Sequence, residues 1–254
     1  MSGRRAIAVA ISTVALILAG CAPGAGGRQP TSTPPSATPA PSGVATQPSG
    51  AIRIDEPGEG ETVRVPFTTT GASNTFEAAL TIDVVDESGT TLCVRHLTAT
   101  AGSGEIGTWE GALAFPPQDA AQSAMLRAYT FSPKDGSMTD LVERRVTVSP
   151  ERPDIVLTAP RCGDVYAAGT AIPLLGTAAV FEAALTVELR DTRGEPVVSV
   201  PVTAEECCVE SSFSSTLEIP EALAPGWYDV VAYSLSAKDG SVIYEFPVQV
   251  EITG

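Results

Sequence analysis

Phe76-Glu77-Ala78-Ala79-Leu80-Thr81 recurs unchanged as Phe181-Glu182-Ala183-Ala184-Leu185-Thr186, 105 positions further on. That period is too long for a solenoid unit and suits one small all-β module, so the chain reads as two tandem copies of a single domain. Phe76, Ala78, Leu80, Ile82 and Val84 alternate with Glu77, Ala79, Thr81 and Asp83. Phe181, Ala183, Leu185, Val187 and Leu189 do the same in the second copy. Period two predicts a strand with one face inward. The alanines at its start also fit a helical turn, but the β-branched residues within 81–85 favour the strand.

Working outward, the copies keep step. Each opens on a β-rich segment, Ile52-Arg53-Ile54 or Ile155-Val156-Leu157. A turn follows at Pro57 and Gly60 or Pro160 and Gly163, then a short second strand and a glycine, Gly71 or Gly176. After the hexapeptide strand, Asp86 to Gly89 and Asp191 to Gly194 read as hairpin turns. Trp109 and Phe213 fall at one equivalent position and are expected in the core, each burying on the order of 200 Å². Tyr129-Thr130-Phe131 matches Tyr233-Ser234-Leu235, Asp135-Gly136-Ser137 matches Asp239-Gly240-Ser241, and a last strand alternates from Val242 to Ile252. About seven strands per roughly 100 residues, with no sustained helical period, predict an all-β fold: two tandem immunoglobulin-like β-sandwich domains. Their expected spans are 51–149 and 154–253. The proline-bounded joint at 149–153 predicts a semi-rigid pair.

Those turns and glycines, taken in order, resemble the immunoglobulin-like domain of bacterial spore germination. The resemblance rests on Pro57, Gly60, Gly71, Phe76-Glu77-Ala78, Asp86, Gly89 and Asp135-Gly136-Ser137, and on Pro160, Gly163, Gly176, Phe181-Glu182-Ala183, Asp191, Gly194 and Asp239-Gly240-Ser241. It covers both repeats. It implies an envelope protein held by a lipid or membrane tether, with a link to sporulation or germination, and it supplies no catalytic residue. The second module that often accompanies this domain is not seen in this sequence.

Ahead of the repeats, Arg4 and Arg5 precede an apolar run at 6–18 and then Leu18-Ala19-Gly20-Cys21. The run is short for a bilayer crossing, and small residues before a cysteine resemble a bacterial lipobox. The expectation is a lipoprotein signal peptide over 1–20 and acylation of Cys21, palmitate among the acyl chains. Two or three chains anchor stably where one is marginal. Residues 22–50 are almost wholly Pro, Ser, Thr, Gly, Ala and Gln, and such a composition forms no core, so 21–50 reads as a disordered tether. The protein is thereby expected outside the cytoplasm, lipid-anchored to the cell membrane.

The chain carries 30 acidic against 15 basic residues, a formal net charge of −15. That charge disfavours nucleic acid as a partner. Four cysteines remain beyond Cys21: Cys93, Cys162, Cys207 and Cys208. Export favours disulfides. Repeat 2 gains Cys162 and Cys207-Cys208 where repeat 1 has Glu59 and Ser103-Gly104, which favours Cys162 bonded to Cys207 or Cys208. The remaining cysteine of the adjacent pair would reach Cys93 across the domains or stay free.

Catalytic signals are weak. His96 is the only histidine, no G-x-S-x-G elbow accompanies it, and it reads as an exposed strand residue. Asp83 and Asp86 lack the spacing of a calcium loop. No cofactor is expected. Glu77 and Glu182, on the outward face, read either as charges that blunt an edge strand or as a repeated ligand contact. The expected function is a non-enzymatic, lipid-anchored binding module for an envelope protein or a wall polymer. The alternatives are a passive envelope spacer, and a thiol-redox or metal-binding factor using Cys207 and Cys208.

Overall fold

The computed structural model describes residues 51–254. The expected signal peptide, Cys21 and the tether to residue 50 lie outside the described residues. The first domain consists of β1 (Ile52–Glu56), β2 (Glu61–Val63), β3 (Phe67–Ser73), β4 (Ala79–Asp86), β5 (Thr91–Thr98), β6 (Gly107–Leu113), β7 (Gln122–Phe131) and β8 (Met138–Val148). The second consists of β9 (Ile155–Ala159), β10 (Val165–Ala167), β11 (Ala171–Ala178), β12 (Ala184–Arg190), β13 (Pro196–Thr203), β14 (Ser211–Glu218), β15 (Gly226–Leu235) and β16 (Val242–Thr253). The segment read from sequence as one short second strand is two, β2 and β3, and likewise β10 and β11.

Each domain is a two-sheet sandwich. In the first, β1-β3-β6 faces β2-β8-β7-β4-β5; in the second, β14-β11-β9 faces β10-β16-β15-β12-β13. Pairing is antiparallel except β2 with β8 and β10 with β16, which are parallel. The immunoglobulin-like tandem expected from the pattern is therefore the fold. Alternation drives it: Leu80, Ile82 and Val84 on β4 and Leu185, Val187 and Leu189 on β12 all point into cores, each side chain contributing about 1.5–3 kcal/mol.

Trp109 and Phe213 occupy equivalent buried sites, as expected. Their flat rings lie where Gly71 and Gly176 leave room. A Cβ on Gly71 would overlap the Trp109 ring and the Arg53 carbonyl, and one on Gly176 would overlap the Phe213 ring and the Val156 carbonyl. The glycine that precedes each hexapeptide is thus a packing requirement.

The start of the hexapeptide departs from the strand reading. Residues Phe76–Ala78 and Phe181–Ala183 form single 3-10 turns, and the strands begin one residue later. Glu77 and Ala78 have φ of 54° and 59°, and Glu182 and Ala183 both have 55°. Two consecutive left-handed residues reverse the inward–outward alternation for Phe76 and Phe181, which turn out to solvent. A left-handed non-glycine residue costs on the order of 1 kcal/mol, so surrounding contacts must hold the turn.

The outer edges of the two five-stranded sheets are closed differently. β5 is covered by the second domain. Gln249 Oε1 accepts the His96 N–H at 2.6 Å, and Gln249 Nε2 donates to the His96 carbonyl at 3.0 Å. On β13, Pro201 takes the equivalent place opposite Thr186 and presents no N–H to a neighbouring strand.

Candidate functional site

Two features converge on one face of the first domain: the repeated turn and the joint between domains. The turn is held by its neighbours. Ala78 N–H donates to the Thr75 carbonyl at 3.2 Å, and the Ala78 carbonyl accepts from Ala99 N–H at 2.8 Å. Ser103 Oγ accepts Glu77 N–H at 3.0 Å, and Ser103 N–H donates to the Thr75 carbonyl at 2.8 Å. In the second copy Cys208 N–H donates to the Val180 carbonyl at 3.1 Å, and the Ala183 carbonyl accepts from Ala204 at 2.9 Å. Cys208, at φ 68°, thus takes the structural place of Ser103, at φ 54°.

That equivalence bears on the cysteines. Cys207 is bonded to Cys208, and Cys93 to Cys162 across the domains, with Cα atoms 5.0 Å apart. The pairing of Cys162 with Cys207 or Cys208 favoured above is therefore corrected. The adjacent cysteines sit over the Val180 turn, whereas Cys162 lies in the turn before β10 that packs on β5. The adjacent pair closes the same tight loop that Gly102 and Ser103 close in the first copy. Among the described residues no group of three His, Cys, Asp or Glu side chains is placed to hold a metal ion.

Glu77 and Glu182 do not blunt an edge. They stand at the crest of the turn, and the strands that follow are interior: β4 lies between β5 and β7, and β12 between β13 and β15. Phe76 and Phe181 beside them are 65% and 59% exposed. The β7–β8 hairpin adds exposed Phe131 and Met138, and the β15–β16 hairpin adds Leu235, Val242 and Tyr244. Each domain thus presents an apolar cluster at the same end. A solvent-facing Phe adds nothing to the core, yet it is kept in both copies.

The joint forms around β5. Arg95 Nη1 and Nη2 donate to the two carboxylate oxygens of Asp229 at 3.0 and 2.7 Å. Arg95 is buried and Asp229 is one-quarter exposed, so this pair is poorly screened and costly to break singly. His96, expected to be exposed, is half-buried: its ring stacks on Trp227 with centroids 4.0 Å apart, and Nδ1 lies 3.1 Å from Thr81 Oγ. Burial lowers the His96 pKa below its usual value, against an upward pull from Glu251.

The two carboxylates considered for chemistry have structural partners. Asp83 is buried and takes two bonds from Arg127, Nε to Oδ1 at 2.8 Å and Nη2 to Oδ2 at 2.6 Å, with Tyr129 OH at 3.1 Å. Burial and then the Asp83 carboxylate push the Tyr129 phenol up to about 12. Asp86 caps its hairpin through Ser88 and Thr90, bonds that hold its carboxyl below the usual range.

Between the domains, these elements enclose a groove of about 770 Å³. Phe76, Glu77, Phe131 and Asp140 line one side; Trp227, Asp229 and Thr192 line the other. Sequence reasoning missed the joint residues Arg95, Trp227, Asp229 and Gln249. One signal pointed there: the first repeat holds a single cysteine, Cys93, whose only disulfide partners beyond Cys21 lie in the second.

The family model for the immunoglobulin-like domain of bacterial spore germination matches residues 51–137 and again 154–241. Among curated proteins no sequence matches the chain. Solved structures that it resembles include the fibronectin(III)-like modules of Clostridium thermocellum CbhA, at 16% identity, 79% of this chain, 92% of that one and a TM-score of 0.25. The D1–D4 ectodomain fragment of ICAM-5 overlaps at 17% identity, 80% and 53% coverage and a TM-score of 0.27. The N-terminal Ig1-2 module of the Drosophila receptor protein tyrosine phosphatase DLAR overlaps at 11% identity, 80% and 99% coverage and a TM-score of 0.23. These overlaps are too loose to bear on function. With both sandwiches matched by the family model and its turns in place twice over, the chain belongs to the family of the immunoglobulin-like domain of bacterial spore germination.

Proposed function

We propose that this is a non-enzymatic, lipid-anchored envelope protein whose tandem domains act as a binding module for an envelope partner. The observation that carries the reading is the repeated turn, where each copy holds two left-handed residues and turns a phenylalanine into solvent. Strained backbone and exposed apolar surface together mark interaction sites. The anchor is read from Arg4, Arg5 and the residues leading to Cys21. Adjacent Cys207 and Cys208 are bonded to each other, and the Cys208 N–H holds the Val180 turn.

A photo-crosslinking side chain placed at Phe76 or Phe181 in the full chain tests this in intact cells. The expected result is a discrete adduct of one envelope component at a turn position and none at Glu221, which is exposed elsewhere. Equal, diffuse labelling at all three positions would favour the passive spacer.

A further inference from the structure

The groove between the domains differs from its surroundings in what it leaves uncompensated. Glu77, Glu110 and Asp140 line it, are exposed, and make no ion pair among the described residues. Arg95, the one permanently cationic side chain on its wall among the described residues, is committed to Asp229. Of the three, only Glu77 recurs in the second copy, as Glu182. Glu110 and Asp140 correspond to Ser214 and Tyr244 there, so two of the three carboxylates belong to the groove copy alone.

The same wall carries two exposed aromatic rings, Phe76 at 65% and Phe131 at 50%. Apolar rings and unpaired carboxylates side by side call for one ligand with apolar stems and positive heads. Lysine and arginine side chains have that composition. Their methylenes cover rings while their heads reach water or carboxylates, and a cation over an aromatic face gains about 0.5–1 kcal/mol at an exposed site.

We propose that the interdomain groove binds an extended cationic polypeptide segment, with lysine or arginine stems on Phe76 and Phe131 and their heads on Glu77, Glu110 and Asp140. This rests on the binding-module reading above and specifies its partner chemistry. The overall charge of −15 draws such a segment in, while the groove gives it a single seat.

The test is fluorescence anisotropy of labelled deca-lysine against the full-length chain in an uncharged detergent, at about 0.15 M salt, where charges beyond about 8 Å are screened. Saturable one-site binding is expected. Deca-glutamate should not bind, and unlabelled chitohexaose should not compete. Both E77Q/E110Q/D140N and F76A/F131A should weaken binding at least tenfold, with unchanged thermal unfolding. The triple D119N/E87Q/E221Q removes the same charge outside the groove and should bind within about twofold of the parent. Equal loss in both triples, full binding by F76A/F131A, or displacement by chitohexaose would overturn the proposal. So would absence of binding, and if crosslinks still form at Phe181, the binding-module reading survives that failure.

Discussion

The imidazole of His96 and the indole of Trp227 lie face to face across the domain boundary, with centroids 4.0 Å apart and planes 18° from parallel. The stack favours a neutral ring, because burial opposes the charge more than Glu251 invites it. The folded pKa thus lies below the usual 6.5, while the unfolded chain takes up its proton near 6.5. Stability present above pH 6.5 is therefore lost as pH falls from there through the folded pKa. As the only histidine in the chain, His96 gives a single resolved NMR titration. The expected midpoint is below 6.5, and H96F should flatten the melting temperature between pH 7 and 5. A midpoint above 6.5 would contradict the buried stack.

Arg95 and Asp229 form the charged half of the same joint. A double-mutant cycle with R95A and D229A should return a coupling of about 2 kcal/mol. Each single variant should cost more than the pair removed together, because one buried charge is left without its partner. A coupling near zero would reduce the contact to a surface ion pair.

The bond between Cys93 and Cys162 spans 69 residues of sequence. Closing a loop of that length stabilises by about 4 kcal/mol in the chain-entropy treatment. C93S/C162S should melt about 10 °C lower, whereas C207S/C208S should change far less, since its loop spans one residue. Peptide mapping without reduction should recover a cross-linked pair containing Cys93 and Cys162. A fragment joining Cys162 to Cys207 or Cys208 would refute the pairing.

Gly71 and Gly176 sit under aromatic rings and against carbonyl oxygens that cannot withdraw. G71A and G176A are each expected to cost about 1–3 kcal/mol by overpacking. Urea midpoints should fall with little change in slope. Ala at either site with parental stability would mean that the rings are not packed on the glycine.

The proposed anchor has a direct test. The mature chain should begin at Cys21 and carry the mass of a diacylglyceryl group, and C21A should release the protein from membranes into the medium. Intact-mass spectrometry decides it; a mature species without lipid mass would leave the tandem without its proposed tether.

Most of the architecture was legible because it depends on near-neighbour periodicity. Leu80, Ile82 and Val84 alternate in the sequence as they do in the sandwich, and Trp109 aligns with Phe213 from the repeat alone. The turn at Phe76 was misread because Ala78 is small and apolar and fits an inward position. The left-handed backbone there is held by contacts from far along the chain, among them Ser103 Oγ on the Glu77 N–H, 26 residues away. The joint was illegible for a different reason. Arg95 and Asp229 are 134 residues apart, and neither has a counterpart in the other repeat that would mark it. His96 looked like an isolated surface residue until Trp227 covered it.

The unequal closure of β5 and β13 has a consequence for assembly. The amide of Gln249 can clasp His96 because that residue still has its N–H, whereas Pro201 has none to give. A neighbouring molecule that approached the second domain as the second domain approaches the first would find no grip. The contact is used once within each molecule and does not hand on to the next, so many copies brought close together do not string into filaments through this surface.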